Sequence, residues 1–132
     1  METAVDLLSG KEVTIQSLKM LLVGGKELRL AGTLTEDAVN ARVAEQLDAL
    51  DGHITRTKAR SFRVDVRALT FVTSSAVRVF VNWISKAERG GYKLVFVIDR
   101  SVTWHRLSFS VLKSLAPTHV ELVDAQAATS EK

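Results

Sequence analysis

Cysteine is absent from the 132-residue sequence, proline occurs once, and no long apolar run is present. Without cysteine, a disulfide framework, a thiolate zinc site and a cysteine nucleophile are excluded. The longest uncharged stretch, residues 68–77, has about half of the ~20 residues that a membrane-spanning helix needs. No basic segment followed by an apolar run opens the sequence, so we expect no secretory signal. These absences predict a soluble cytoplasmic protein without membrane insertion.

The length of the chain suits one domain, since domains commonly have about 100–150 residues. No repeat or proline-rich linker divides the sequence. Residues 125–132 (AQAATSEK) are small and polar and show no apolar periodicity, which is typical of a fraying terminus. We therefore predict a single domain over residues 1–124 and a flexible C-terminal tail over residues 125–132.

The formal net charge of +3 is unevenly distributed along the chain. Between His53 and Ala87 a single acid, Asp65, is outnumbered by basic residues: Arg56, Lys58, Arg60, Arg63, Arg67, Arg78 and Lys86. A solvated basic face and a surface for an anionic partner both fit this pattern. We expect no nucleic-acid binding, because segment 56–67 contains only one aromatic residue, Phe62, and no recognised motif.

Alternating apolar residues predict the strands. In residues 13–23 the alternation changes phase, so we expect a bulge or break near Gln16–Ser17. Gly24–Gly25 then predicts a hairpin turn, because paired glycines tolerate the positive φ of tight turns. Alternation also predicts strands at residues 28–34 and 62–66, and Val120 and Leu122 mark a short last strand. The continuous apolar run LVFVI predicts a central strand at residues 93–98.

Helical spacing predicts three helices. The first begins at the N-cap Thr35 and ends at Asp51–Gly52, and its buried stripe is Val39, Val43, Leu47 and Leu50. The second spans residues 73–89 and is closed by Gly90–Gly91, and the third spans residues 101–116 and is stopped by Pro117. In the third helix Phe109 is expected to point away from an inward stripe of Trp104, Leu107, Val111 and Leu115.

The order of the elements is therefore β-β-α-β-α-β-α-β. Strands that alternate with helices favour parallel pairing through right-handed crossovers, and the initial hairpin adds an antiparallel strand. We predict an α/β fold with a mixed sheet of four to five strands and three to four helices, mostly on one sheet face. The opposite face is expected to be partly open to water, because alternate strand positions are polar.

The start of the second helix carries three hydroxyl residues, Thr73, Ser74 and Ser75. A hydroxyl at this position can cap the helix by accepting a hydrogen bond from the first turn. The free N–H groups and the positive end of the helix dipole can also hold a phosphate group. The residues alone leave both interpretations open.

Residues 64–66 (Val-Asp-Val) followed by residues 69–76 (Leu-Thr-Phe-Val-Thr-Ser-Ser-Ala) resemble the signature of the STAS domain. That family includes bacterial anti-sigma factor antagonists, and its pattern is a strand ending in Asp, a short apolar link and Asp-Ser-Ser-Gly at a helix start. Residues 32–34 (Gly-Thr-Leu), the Gly90–Gly91 turn and the LVFVI strand also fit. The resemblance covers residues 13–123 and implies a STAS-like fold.

The resemblance implies that Ser74, rather than Thr73 or Ser75, is phosphorylated by a cognate serine kinase that also serves as the anti-sigma factor. The unphosphorylated protein then binds the kinase and phosphorylation releases it, which makes a partner-switching signalling module. Thr73 and Ala76 depart from the family's Asp and Gly. Some small STAS proteins instead dock on a lipid or solute transport ATPase without being phosphorylated, so an adaptor subunit of such an ATPase is the alternative.

The second helix has an unusually wide apolar sector, roughly 200° at 100° per residue, although a helix covering one sheet face needs about 100°. One interpretation is packing against a neighbouring helix. The other is a partner-facing patch beside Ser74, with tryptophan near its centre. The predicted partner-binding residues are then Thr73, Ser75, Ala76, Val79, Phe80 and Trp83.

Other chemistry is not indicated. His53, His105 and His119 lack metal-ligand spacing. Ser74 lacks both a Gly-x-Ser-x-Gly elbow and a nearby base. We therefore expect no enzymatic activity, catalytic residue, metal or cofactor, and we expect a monomer or weak dimer that binds a protein partner.

Overall fold

Six strands form the sheet, and they lie side by side in the order of the chain. The computed structural model describes residues 7–8, 10–35 and 37–124, without the side chains of residues 37–39. The strands are β1 (Val13–Ile15), β2 (Leu18–Val23), β3 (Glu27–Leu34), β4 (Ser61–Val72), β5 (Lys93–Ile98) and β6 (Val120–Asp124). β1, β2 and β3 pair antiparallel, whereas β3 to β6 pair parallel. The predicted α/β class with a mixed sheet is confirmed.

The helices that follow the parallel strands β3, β4 and β5 are α1 (Asp37–Thr57), α2 (Ser74–Gly90) and α3 (Thr103–Leu115). α2 packs against both α1 and α3, so it is the central helix of the layer. Because each helix follows a parallel strand, each begins at the carboxyl edge of the sheet. Residues 125–132, which we predicted to be a flexible tail, lie outside the described residues.

The predicted break near Gln16–Ser17 is a reversal of the chain that separates β1 from β2. Gln16 has a φ of 58°, and β1 folds back onto β2 so that Val13 pairs with Met20. Gly32 of β3 lies against this turn with a φ of 102°, and a Cβ at this position would come within 1.9 Å of the Ser17 carbonyl oxygen. The prediction of four to five strands is therefore wrong, because one predicted strand forms two.

α1 continues beyond its predicted end. Gly52 lies inside the helix, which ends before Lys58, a residue with a φ of 59°. An interior glycine costs about 1 kcal/mol, and the burial of a further turn offsets that cost. The buried stripe contains Val43, Leu47, Leu50 and Ile54. Glu36, next to the predicted cap Thr35, and the side chain of Val39 lie outside the described residues.

α2 matches its prediction and carries the centre of the core. The Phe80 ring packs edge-on against Phe96, with 5.9 Å between the ring centroids. The Trp83 Nε1–H donates to the Tyr92 hydroxyl (2.9 Å), which in turn donates to the Asp51 carboxylate (2.6 Å). Burial and this bond to Asp51 raise the pKa of the Tyr92 hydroxyl well above its usual value. These hydrogen bonds link α2 to α1 and to the residue that precedes β5.

The two faces of α3 are the reverse of the prediction. Phe109, expected to point away from the core, is only 2% exposed and packs against Phe80 and Phe96. Of the four residues that were expected to face inward, Trp104 is half-buried against the core, and the other three are 57–60% exposed: Leu107, Val111 and Leu115. Apolar residues occupy two faces of this helix, and spacing alone does not say which face meets the sheet.

The sheet face opposite the helices carries charged side chains. Arg29, Arg63 and Arg67 are exposed, while their neighbours along the strands, such as Leu28 and Val64, are buried. This alternation matches the expected pattern of one covered and one wetted face.

Candidate functional site

The junction between β4 and α2 lies at the carboxyl edge of the sheet. β4 ends at Val72, and the Thr73 N–H donates to the Leu34 carbonyl oxygen at the end of β3 (3.1 Å). This bond fixes the chain where it leaves the sheet, so Ser74 follows directly at the edge. Ligand sites of parallel α/β sheets are commonly found at this edge.

Thr73 caps α2. Its backbone is extended (φ −74°, ψ 163°), and its Oγ1 accepts a hydrogen bond from the Ala76 N–H (3.2 Å). The Ala76 and Val77 N–H groups also bond the Thr73 carbonyl oxygen (3.0 and 3.1 Å). The capping interpretation is confirmed.

Ser74 is the first residue of α2 and is exposed, as is Ser75. Among the described residues the Ser74 hydroxyl has no hydrogen-bond partner. The N–H groups of Ser74 and Ser75 precede any intrahelical acceptor. The first turn contains no acidic residue, and the exposed Arg78 lies one helical turn further on. An anion at Ser74 would therefore meet free N–H groups and a nearby positive charge.

The predicted partner-facing patch on α2 needs correction. Ala76, Val79, Phe80 and Trp83 are between 0 and 7% exposed and belong to the core. α2 lies between α1 and α3, so its flanks are covered as well as its inner face, and a wide apolar sector is what that position requires. Of the predicted partner-binding residues, only the exposed Ser75 and the half-buried Thr73 are accessible to a partner.

Phe71 lies three residues before Ser74 and is 52% exposed. Its apolar ring stands at the same sheet edge as the free hydroxyl. Sequence reasoning placed Phe71 within the motif but did not identify it as a surface residue, because the alternation of β4 predicted a shorter strand.

The His105 side chain connects the start of α3 to the carboxyl edge of the sheet by hydrogen bonds. It is fully buried, its Nε2 lies 2.9 Å from the Leu69 carbonyl oxygen, and its Nδ1 accepts from the Asp99 N–H (3.3 Å). The Nε2 nitrogen then carries the proton that is donated to Leu69. The hydroxyl and N–H of Ser101 both bond the Asp99 carboxylate and lower its pKa. Helical spacing alone did not indicate these hydrogen bonds.

A groove of about 500 Å³ lies on the open sheet face over β2, β3 and β4, with Lys19, Arg29, Asp65 and Arg67 among its lining residues. The Arg67 guanidinium donates two hydrogen bonds to the Asp65 carboxylate, from Nε to Oδ1 (3.0 Å) and from Nη2 to Oδ2 (2.6 Å). Burial alone would raise the pKa of the Asp65 carboxyl, but the hydrogen bonds and charge of Arg67 outweigh it and hold the pKa below its usual value. The groove carries both signs of charge, so it is not a purely basic surface.

The basic segment 56–67 does not form one patch. Arg63 and Arg67 lie on the open sheet face, whereas Arg56 and Lys58 are exposed at the end of α1. A second cavity, of about 590 Å³, lies at the amino edge and is lined by Gly24, Gly25, Lys26, His53, Ile54, Thr57, Ala59, Ser61, Phe62 and Arg63. Its lining is largely apolar or uncharged.

Within the described ranges, no group of three His, Cys, Asp or Glu side chains is arranged to hold a metal ion. No helix in that part of the chain is long and apolar enough to cross a membrane. The site is thus a capped helix start with an accessible serine, a neighbouring exposed phenylalanine and an arginine one turn away.

Comparison with known proteins adds no relative. No model of a known protein family matches the chain, and a search of curated proteins finds no similar sequence. The STAS resemblance accordingly rests on residues 64–76 and on the order of the elements around them.

Proposed function

We propose that this chain is a STAS-like regulatory module that binds a protein partner and exchanges it when Ser74 is phosphorylated. The observation that carries the proposal is the exposed Ser74 hydroxyl at the start of α2, which has no hydrogen-bond partner in the described part of the chain and lies next to a helix cap supplied by Thr73. The resemblance of residues 64–76 to the STAS signature supports the same position. The module acts in the cytoplasm and has no enzymatic activity of its own.

The local electrostatics supports a phosphate at Ser74. A phosphoserine carries up to about −2 charge, and at the start of α2 this charge meets free N–H groups and Arg78. The modified state is therefore compatible with the fold, and the change is confined to the surface. At an interface the same charge would cause repulsion and leave desolvated groups unpaired, so a partner docked over Ser74 would be released.

The partner that fits this scheme is a serine kinase that also serves as an anti-sigma factor. With Val79 and Trp83 buried, the contact surface would consist of the residues around the helix start. Phe71 offers an apolar contact beside Ser74, and Ser75 and Thr73 offer polar ones. This surface is smaller than the patch expected from the sequence.

The test is to incubate the full chain with the serine kinase encoded nearest to its gene, with ATP for phosphorylation and with ADP for complex formation. We expect phosphate on Ser74 by mass spectrometry and a complex in ADP by calorimetry. Ser74→Ala should remove the phosphate and keep the complex, and Ser74→Asp should weaken the complex by about tenfold or more. Ser85→Ala, at an exposed serine of α2 outside this contact surface, is the matched control and should leave both results unchanged.

Absence of phosphate on Ser74 together with absence of a complex in ADP would refute the proposal. Co-purification with a transport ATPase subunit, insensitive to Ser74→Asp, would instead favour the adaptor role. Thr73 and Ala76 are the residues that keep this alternative open, since they replace the family's Asp and Gly.

A further inference from the structure

The cavity at the amino edge of the sheet has the size of a small-molecule site. Its volume is about 590 Å³, and it lies between the β2–β3 turn, the last turns of α1 and the start of β4. Ligand cavities in proteins commonly have about 300–1,000 Å³ and are lined mostly by apolar side chains. Ile54 and Phe62, which are 1 and 2% exposed, supply an apolar part of the lining together with Ala59. The cavity therefore has room for the apolar body of one small molecule.

The charged side chains that line this cavity are cationic. They are Lys26 of the β2–β3 turn and Arg63 of β4, and no Asp or Glu is part of the lining. His53 of α1 lines the cavity as well, and its Nε2 lies 3.5 Å from the position that a Cβ at Gly25 would occupy. These side chains belong to three separate elements, so only the folded chain brings them around one space.

The cations at the amino-edge cavity are free of ion pairs, in contrast to the groove on the open sheet face. In that groove Arg67 is already paired with Asp65 (2.6 Å). Lys26 and Arg63 form no ion pair within the residues that the structure describes, and residues 52–64 contain no Asp or Glu. An anion would therefore meet unpaired positive charge at the amino-edge cavity, whereas it would compete with a resident carboxylate in the open groove.

The end of α1 opposes an anion at this cavity only weakly. The carboxyl end of a helix carries roughly half a negative charge. Near that end of α1, the Ile54 carbonyl oxygen already accepts from the Thr57 hydroxyl (2.9 Å) and from the Ala59 N–H (3.4 Å). The full positive charges of Lys26 and Arg63 exceed the remaining partial charge, so the balance at the cavity favours an anion.

We propose that the amino-edge cavity binds a small organic anion, in which a carboxylate, sulfonate or phosphate group is attached to an aromatic or aliphatic body. The anionic group would lie near Lys26 and Arg63. The apolar body would pack against Ile54 and Phe62. This cavity lies at the start of β4 and Ser74 follows the end of that strand, so the proposal holds whether or not Ser74 is phosphorylated.

The test titrates the full chain with 8-anilinonaphthalene-1-sulfonate and with N-phenyl-1-naphthylamine, which has the same aromatic body without the sulfonate group. We expect the sulfonate dye to bind about tenfold or more tightly than the neutral dye, as measured by fluorescence. Added salt should weaken binding of the sulfonate dye more than that of the neutral dye, because salt screens exposed charges. In amide NMR spectra the sulfonate dye should shift the signals of Gly24 and Gly25 and leave that of Ser74 in place.

The double variant Lys26→Gln/Arg63→Gln should weaken binding of the sulfonate dye by about tenfold or more and leave binding of the neutral dye nearly unchanged. The matched control is Lys19→Gln/Arg29→Gln, which removes one lysine and one arginine from the open groove and should leave binding of both dyes unchanged. All four positions are exposed, so both variants should fold, and urea unfolding checks this.

Three results with the dyes would overturn the proposal: no binding of the sulfonate dye, equal affinities for the two dyes, or equal weakening by the control variant and by Lys26→Gln/Arg63→Gln. Displacement of the sulfonate dye by vesicles of phosphatidylcholine and phosphatidylglycerol would also overturn it, because a membrane surface would then be the ligand. Displacement by duplex DNA would assign the cations to a nucleic acid instead.

Discussion

α2 and α3 occupy similar positions in the sequence, but they differ in how far their apolar side chains are buried. Each follows a parallel strand, begins at the carboxyl edge and has large apolar residues on more than one face. In α2 these residues are all at least partly buried, whereas in α3 Leu107, Val111 and Leu115 are exposed. The helices differ in their neighbours: α2 has a helix on each side, and α3 packs beside α2 and over β5 and β6.

This comparison shows that a wide apolar sector on a helix can have two different structural explanations. On the central helix α2 it reflects packing against a helix on each side, and on the outer helix α3 part of the apolar surface is exposed within the described part of the chain. The widest apolar sector in the sequence therefore belongs to a helix whose apolar side chains are covered within the fold.

The sharpest test of this difference compares two leucines of α3. Leu112 is 1% exposed and Leu115 is 59% exposed. We expect Leu112→Ala to lower the free energy of unfolding by about 2–5 kcal/mol through lost burial and a cavity, and Leu115→Ala to change it by about 0.5 kcal/mol or less. Urea denaturation measures both. Equal decreases in the free energy of unfolding would mean that Leu115 also belongs to the core.

The second test removes the hydroxyl that joins α2 to α1. Tyr92→Phe leaves the Trp83 Nε1–H and the Asp51 carboxylate without their partner. We expect a loss of about 1–3 kcal/mol in the free energy of unfolding, because a buried donor loses its bond. Thr118→Val, which removes an exposed hydroxyl at His119, is the control and should have little effect. An unchanged free energy of unfolding in Tyr92→Phe would contradict a stabilising role for these hydrogen bonds.

The third test compares the caps of the two helices. α2 has a side-chain cap at Thr73, whereas the N-cap of α3, Val102, makes no such bond. We expect Thr73→Ala to cost about 1 kcal/mol and Thr73→Ser to cost less. Val102→Thr should stabilise the protein by up to about 1 kcal/mol, since its backbone is already extended. Thermal and urea unfolding measure the changes, and a stabilising Thr73→Ala would show that the cap contributes nothing.

The smallest effect is expected on the sheet face that neither helix covers. Because Arg67 lowers the pKa of folded Asp65 below its usual value of 3.8, ionised Asp65 stabilises the fold above that pH and loses this contribution as the pH falls towards the folded pKa. Asp65→Asn should therefore cost less than about 1 kcal/mol at pH 7, given that Arg67 is half exposed. The difference from the unmodified protein should shrink at acid pH.

A double-mutant cycle with Arg67→Ala checks the origin of that difference. If the Asp65–Arg67 pair is responsible, Asp65→Asn should lose its pH-dependent part in the Arg67→Ala background. An unchanged pH dependence would assign the effect to another group.

Local sequence features predicted much of the fold and part of the site. The continuous apolar run LVFVI located β5, the phase change located the reversal at Gln16–Ser17, and the hydroxyl residues located the start of α2 with Thr73 as its cap. These features succeed because turns, caps and strand periodicity depend on residues close together in the chain. The end of α1 was missed because a single Gly52 is a weak stop when the next turn gains burial.

The sequence by itself determined that an accessible hydroxyl would stand at a helix start after a strand, because backbone hydrogen bonding and capping are local. Only the tertiary structure decided which apolar side chains face water. Burial depends on the neighbours that each helix meets, and these come from distant parts of the chain: α2, with its buried Trp83, lies between α1 and α3, whereas Val111 of α3 is 57% exposed.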